Sequence, residues 1–189
     1  MIKRSTPERI TVTAGPWLSG HCACKPYYGK QVWHYDFSAL TLLVDSIKLG
    51  LHITAIRKFL SDHPQIRKNN LTTSQINLAV IKPETKATNS RYIEKYIDLC
   101  DSSNGKPLVA PATVFVSHAW RYEFCDVVVN ALEQHASEHP HSYFWFDLFT
   151  NNQNEVASKD FEWFSSTFRE GVREIGQVLL VLSPWNDPI

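Results

Sequence analysis

Three short apolar runs in the second half of the chain decide the fold: Thr113-Val114-Phe115-Val116, Tyr143-Phe144-Trp145-Phe146 and Val178-Leu179-Leu180-Val181-Leu182. The last run is apolar at every position, which is typical of parallel strands that helices cover on both faces. Two apolar stripes at helical spacing separate the runs, one formed by Phe124, Cys125, Val128, Val129 and Leu132, the other by Phe161, Phe164, Phe168, Val172 and Ile175 before Gly176. This alternation predicts an α/β fold with a parallel βαβαβ sheet in which the first strand lies between the other two.

The first half of the chain carries a different pattern. Residues 1–106 are predicted to form a mainly helical N-terminal region, and residues 107–189 the α/β domain, with the boundary at the turn-rich segment Asp101–Pro107. Four helical segments are expected before that boundary. They run from Ser38 until Gly50 stops the pattern, from Ile53 to before Pro64, from the N-cap Thr72 until Pro83, and from Ser90 to Cys100.

Composition excludes several classes of protein. The 189 residues are 43% hydrophobic and 20% charged, as in globular proteins. No run approaches the roughly 20 apolar residues of a membrane span, and no apolar signal-peptide core follows Met1, so a cytoplasmic protein is expected. The four cysteines, Cys22, Cys24, Cys100 and Cys125, are interpreted as reduced thiols.

The net charge of zero conceals an asymmetry. Residues 1–110 carry 15 Lys and Arg against 8 Asp and Glu, whereas residues 111–189 carry 4 against 11. Because the basic residues are scattered rather than clustered, a solvated surface is favoured and nucleic-acid binding is not expected.

A ligand site is predicted where the parallel strands end, since open sheets bind ligands beyond the carboxyl ends of their strands. The three loops there are rich in aromatic, amide and charged side chains, which suit a nucleotide. The candidate binding residues are Ser117, His118, Trp120, Arg121, Asp147, Asn151, Asn152, Ser183 and Trp185.

At these loops the chain resembles the Toll/interleukin-receptor (TIR) domain family. The resemblance covers about 78 residues and is carried by Ser117-His118-Ala119-Trp120, by Phe144–Phe149 and by Leu182-Ser183-Pro184-Trp185. It implies a signalling module in which the loop after the second strand serves self-association, and an NAD-cleaving activity in some members. The catalytic glutamate of those members lies on the helix after the third strand. No residue of this chain can be assigned that role, so the TIR-like domain is expected to be incomplete at its C-terminus.

Two functions follow from this resemblance. The leading hypothesis is a cytosolic TIR-like module that self-associates, associates with other signalling domains or recognises a nicotinamide or adenine nucleotide. Under this hypothesis no cofactor is tightly bound, and NAD is a candidate ligand or substrate. NAD glycohydrolysis is expected only if a glutamate is supplied from elsewhere. The alternative is a catalytically inactive protein–protein interaction domain.

Two histidine-rich segments offer metal-binding alternatives. His135-Ala136-Ser137-Glu138-His139 matches the spacing of a zinc-peptidase helix, and His21-Cys22-Ala23-Cys24 with His34 has the ligand types of a zinc site. The first segment runs into Pro140 at the pole opposite the ligand loops, and the second lacks the paired Cys-x-x-Cys spacing. Neither is assigned as a metal site.

Overall fold

The computed structural model describes residues 48–184. The predictions for the helix from Ser38 to Ile47, for Cys22, Cys24 and the His21–His34 alternative, and for Trp185 lie outside the described residues.

The elements alternate between strands and helices. They are β1 (Leu49–His52), α1 (Ile53–Asp62), α2 (Gln65–Lys68), α3 (Thr73–Ile76), a π-helical segment (Asn77–Ile81), α4 (Lys82–Thr85), a 3-10 segment (Tyr92–Tyr96), β2 (Val109–Pro111), β3 (Val114–Ser117), a second π-helical segment (Phe124–Val129), α5 (Asn130–Glu138), β4 (Tyr143–Trp145), α6 (Asp147–Thr150), a 3-10 turn (Val156–Ser158), α7 (Phe161–Ile175) and β5 (Val178–Leu180).

The five strands form one mixed sheet in the order β2-β1-β4-β3-β5. β3 pairs in parallel with β4 on one side and with β5 on the other, which confirms the predicted arrangement of the three C-terminal strands. The expectation of a wholly parallel sheet is wrong, because β1 pairs antiparallel with β4 and β2 pairs antiparallel with β1.

The sequence predicts a helix that ends at Gly50 where the structure has β1. The apolar spacing up to Gly50 indicates a helix that the glycine ends, but Gly50 lies within β1. A Cβ atom there would stand 2.8 Å from the carbonyl carbon of Tyr143 and 3.0 Å from Cα of Ala112. Glycine is therefore needed because two neighbouring backbones approach this strand closely.

The sheet separates two layers of side chains. Val114, Val116, Phe144 and Phe146 belong to the main core, together with α1 and the Phe124–Val129 segment. On the other face, Phe115 stacks on Trp145 with ring centroids 4.6 Å apart, and Phe168 of α7 contacts Phe115 edge-on at 5.3 Å. Alternate strand residues thus serve opposite layers.

The main core joins both halves of the chain. The ring of Phe59, fully buried on α1, packs edge-on against Tyr92, Phe124 and Phe149 at 5.4, 6.2 and 5.0 Å. Residues 48–106 are mainly helical apart from β1, and the Asp101–Pro107 segment is a turn with Gly105 at φ 70°. Residues on both sides of this turn contribute to one sheet and one core, and the division into two domains stays a prediction.

Several helix ends follow the sequence signals. Thr72 caps α3 in a capping box with Gln75, and Gly176 ends α7 in the left-handed conformation at φ 77°. Pro83 does not end its helix as expected, because the π-helical segment before it bonds the Lys82 N–H to the Asn77 carbonyl and Pro83 falls in the first turn of α4. The helix expected from Ser90 to Cys100 is only the 3-10 segment Tyr92–Tyr96.

The edge strand β5 also differs from expectation. Although its sequence is apolar throughout, Val178 and Leu180 are 44% and 58% exposed, so the helices of residues 48–184 do not cover both faces of this strand. Within residues 48–184, no helix has the length and apolar character that a bilayer crossing requires.

Candidate functional site at the carboxyl ends of the parallel strands

The loops after β3 and β4 meet through a buried hydrogen bond. Nε1 of Trp120 donates to Oδ2 of Asp147 at 2.8 Å, and Asp147 is 7% exposed at the start of α6. Its other carboxyl oxygen, Oδ1, is buried and has no hydrogen-bond partner among the described residues. Burial raises the pKa of Asp147 to about 6, although the hydrogen bond from Trp120 and the adjacent Leu148 backbone N–H act to lower it.

His118 lies beside this pair. Its ring packs edge-on against Phe146, with centroids 4.9 Å apart, and lies nearly parallel to the Trp120 indole at 6.5 Å. Burial lowers the pKa of His118 to about 4, so the imidazole is neutral at pH 7. Its Nε2 atom is buried and unpartnered within the described chain.

Helix α3 holds the Trp120 loop in place. The Trp120 carbonyl accepts hydrogen bonds from the Ser74 backbone N–H at 2.9 Å and from the Ser74 hydroxyl at 3.2 Å, while the Thr73 N–H donates to the Tyr122 carbonyl at 3.2 Å. Thr73 Oγ1 and Asn77 Oδ1 are also buried without a hydrogen-bond partner in residues 48–184.

Thr73 and Asn77 were not among the predicted site residues. The sequence identifies the Thr72 cap but contains no signal that α3 packs on a loop about 46 residues further along the chain. The signal exists only in the tertiary structure, where Thr73 and Ser74 bond the loop at residues 120–122 and the side-chain oxygen of Thr73 is buried without a partner in residues 48–184.

Ser117, Ser183 and Arg121 do not join the cluster formed by Trp120, Asp147 and His118. Ser117 takes part in the sheet through its carbonyl, which accepts from the Val181 N–H at 2.9 Å. The Ser183 N–H donates to the Tyr122 hydroxyl at 3.0 Å, which connects the third loop to the first. Arg121 is exposed.

Asn151 and Asn152 turn away from this edge. Both line a separate cleft under α7, and the Asn152 amide donates to the Asn89 carbonyl at 2.8 Å. The structure thus brings Trp120, Asp147 and His118 together, links Ser183 to their loop through Tyr122, and places the two asparagines elsewhere.

The histidine pair at the end of α5 has a structural explanation. The rings of His135 and His139 stack at 4.5 Å, and Nδ1 of His139 hydrogen-bonds the His135 carbonyl at 3.2 Å. His139 is the C-cap of α5, so this contact lies at the C-terminal end of the helix. In the described part of the chain, no three His, Cys, Asp or Glu side chains are grouped to hold a metal ion.

Comparison with protein-family models, with curated proteins and with solved structures found no match to this chain.

Proposed function

We propose that this chain is a cytosolic TIR-like signalling module that recognises a nicotinamide or adenine nucleotide at the carboxyl ends of β3, β4 and β5. One observation supports this proposal above the others. The Trp120–Asp147 pair carries a buried carboxyl oxygen with no partner among the described residues, beside the equally unpartnered Nε2 of His118. Leaving a buried polar atom without a hydrogen bond costs about 1–3 kcal/mol of free energy. A ligand or a water molecule that bonds these atoms would remove that cost.

The chemistry of the three side chains suits a nucleotide. The free Asp147 oxygen is an acceptor for an amide or amino N–H or for a ribose hydroxyl, and neutral His118 can donate or accept according to its tautomer. The half-buried Trp120 ring offers a stacking face, and the exposed guanidinium of Arg121 offers paired donors for phosphate. The proposed role is recognition, and hydrolysis of NAD would require a glutamate from outside this chain.

Calorimetry tests this proposal with NAD and ADP-ribose titrated into the full 189-residue chain. Trp120→Ala should weaken binding roughly tenfold to a hundredfold through loss of the stacking face. Arg121→Gln, on an exposed side chain, should weaken ADP-ribose binding by several-fold without affecting the fold. Phe161→Ala, which removes an aromatic ring that is 86% exposed on α7, is the control and should bind as wild type does.

Two results would contradict the proposal. One is a folded wild-type protein that gives no heat of binding at millimolar nucleotide. The other is binding that survives both Trp120→Ala and Arg121→Gln. The purified chain should also release no nicotinamide from NAD above a buffer blank.

Self-association as an interaction module is the second candidate, and a different observation favours it. Among residues 48–184, β5 is the outer strand of the sheet, and Val178 and Leu180 on it and Leu182 just after it expose 44%, 58% and 44% of their surface. An apolar edge strand with unpaired backbone groups is a template for pairing with another chain.

Sedimentation velocity tests this second candidate over a range of protein concentrations. Leu180→Lys should reduce any oligomer to monomer, whereas the matched control Leu78→Lys, at an exposed apolar position on another element, should not. A wild-type chain that stays monomeric at all concentrations would remove self-association from consideration.

A further inference from the structure

A second cleft lies between α7 and the start of β1, apart from the Trp120–Asp147 pair. It has a volume of about 470 Å³ and is bounded by α7, by the 150–159 segment and by the start of β1. Its floor includes Trp145, which is 3% exposed because it stacks on Phe115. Trp163, Thr167 and Glu170 line one wall at successive turns of α7. Neither Trp120 nor Asp147 lines it.

Cationic side chains surround this cleft. Lys48, Arg91 and Lys159 all line it, against the two carboxylates of Glu155 and Glu170. Arg91 pairs with Glu94 at 2.8 Å, and the Lys159 ammonium lies 5.7 Å from the centre of the Trp163 ring. The Lys48 carbonyl accepts from the Ala112 N–H at 2.8 Å, whereas its ammonium has no hydrogen-bond or ion-pair partner among residues 48–184.

Uncharged hydrogen-bonding groups lie among these charges. The Asn151 amide and the Thr167 hydroxyl both line the cleft. Among residues 48–184 neither side chain has a hydrogen-bond partner. The Glu155 carboxylate accepts from the Asn89 amide at 2.7 Å and still has acceptor capacity on its second oxygen.

We propose that this cleft binds a phosphorylated sugar. A phosphate is matched by the Lys48 ammonium together with Arg91 and Lys159, because cations form the strongest hydrogen bonds to phosphate oxygens. Sugar hydroxyls are matched by Asn151, Thr167 and Glu170, and the carboxylate acceptor of Glu170 is a group that a fully ionised phosphate would not use. The carboxylates Glu155 and Glu170 can accept hydrogen bonds from sugar hydroxyls, and the cleft volume falls in the range of small-molecule sites.

The experiment measures binding to the full chain by calorimetry, with ribose 5-phosphate, ribose and inorganic phosphate as separate ligands. Ribose 5-phosphate should bind at least tenfold more tightly than either fragment. Lys48→Met should weaken that binding roughly tenfold, the equivalent of one charge-assisted hydrogen bond. The matched control Lys68→Met removes an exposed lysine of α2 and should leave the affinity unchanged.

A second pair of variants tests the sugar contacts. Thr167→Val removes only the hydroxyl and should weaken ribose 5-phosphate binding severalfold while leaving any weak phosphate binding as it was. Arg121→Gln, at the carboxyl ends of the strands, should have no effect, which separates this site from the nucleotide site. Equal affinity for phosphate and ribose 5-phosphate, unchanged binding by Lys48→Met, or absence of binding to a chain with a normal thermal transition would each overturn the proposal.

Discussion

The indole N–H of Trp120 and the carboxylate of Asp147 lie 2.8 Å apart, and this hydrogen bond ties the loop after β3 to the first turn of α6 after β4. The two residues are 27 positions apart in the chain and end neighbouring parallel strands. The bond satisfies one oxygen of a carboxyl group that is almost wholly removed from solvent. The geometry of the proposed nucleotide site therefore depends on this pair.

Trp120→Phe should destabilise the protein in a pH-dependent manner. The variant keeps an aromatic ring but removes the N–H donor, so the ionised Asp147 loses a hydrogen bond, and the free energy of unfolding should fall by about 1–3 kcal/mol at pH 7. The loss should be smaller at pH 5, where Asp147, with its pKa of about 6, is mostly protonated. Urea denaturation at the two pH values measures the difference, and an equal loss at both would contradict this account.

Asp147→Asn should stabilise the protein at neutral pH. The pKa of Asp147 is raised by burial from 3.8 to about 6, so the folded state favours the protonated carboxyl. The resulting stability is fully present below pH 3.8 and is lost as pH rises through 6, which amounts to about 3 kcal/mol at full ionisation. The neutral amide should recover much of this free energy of unfolding at pH 7. A variant that is less stable than wild type at pH 7 would contradict the prediction, because it would show that hydrogen bonds to the ionised carboxylate offset the cost of its burial.

His118 should show the opposite pH dependence. Burial lowers its pKa from 6.5 to about 4, so the stability that depends on the neutral imidazole is present above pH 6.5 and lost as pH falls through 4. The contributions of His118 and Asp147 therefore oppose each other over this range.

Comparing two variants separates these contributions. Between pH 7 and pH 5, the unfolding free energy of His118→Gln should rise relative to that of wild type, because only the Asp147 titration remains. Over the same range, the unfolding free energy of Asp147→Asn should fall relative to that of wild type, because only the His118 titration remains. All other titrating groups are the same in each variant and in wild type, so their contributions cancel when a variant is compared with wild type. Parallel pH profiles for the two variants would contradict the prediction.

Glu84→Gln should weaken the contact between α4 and the 3-10 segment. Burial acts to raise the pKa of Glu84, but hydrogen bonds from Lys95, His63 and Tyr92 outweigh it and lower the pKa to about 2. The stability from the ionised form is present above pH 4.5 and lost as pH falls towards 2. With solvent screening of this half-exposed group, the loss on substitution should be about 1 kcal/mol.

The matched control for Glu84 is Glu94→Gln. Glu94 pairs with Arg91 on an exposed surface, and its loss should change unfolding free energy by only a few tenths of a kcal/mol, roughly the value of such surface pairs. Thermal denaturation of both variants at pH 7 measures the difference, and equal effects would show that the Glu84 contacts contribute no more than a surface ion pair.

Gly50→Ala should be strongly destabilising. The added Cβ would meet backbone atoms of Tyr143 at 2.8 and 2.9 Å, so β1 must separate from β4 or shift in register. A loss of roughly 2–4 kcal/mol is expected from overpacking between two backbones. At Gly171 on α7 the new Cβ would instead meet a side-chain ring, Phe115 at 3.0 Å, where a displacement of a few tenths of an ångström relieves the contact, and alanine also favours the helix. Gly171→Ala should therefore be the milder change in chemical denaturation, and the reverse order would contradict the prediction.

The arrangement of the C-terminal strands could be predicted from local patterns. The runs at 113–116, 143–146 and 178–182 are separated by two helical stripes, and the predicted doubly-wound order with right-handed crossovers puts β3 in the middle, as it is in the sheet. The caps at Thr72 and Gly176 were equally local, since each depends on a side chain or a φ angle at a single position.

The remaining features depended on contacts that are remote in sequence. The sequence around β1 has the pattern of a helix that ends at Gly50. Glycine is needed there because the Tyr143 backbone, more than 90 positions later in the chain, lies close to Gly50, and a local sequence pattern cannot predict that contact. β5 has the sequence of a buried strand but lies at the edge of the sheet, where its exposure is set by what packs beside it.

At the candidate site, the sequence by itself determined that Trp120, His118 and Asp147 follow neighbouring strands, because strand order places the carboxyl ends of parallel strands together. Only the tertiary structure decided that Trp120 donates to Asp147, that Thr73 and Ser74 of the first half bond the same loop, and that Asn151 and Asn152 line a different cleft. The physical reason is that side-chain direction and burial, and with them the pKa values of His118 and Asp147, follow from the packing of helices that are distant in the chain.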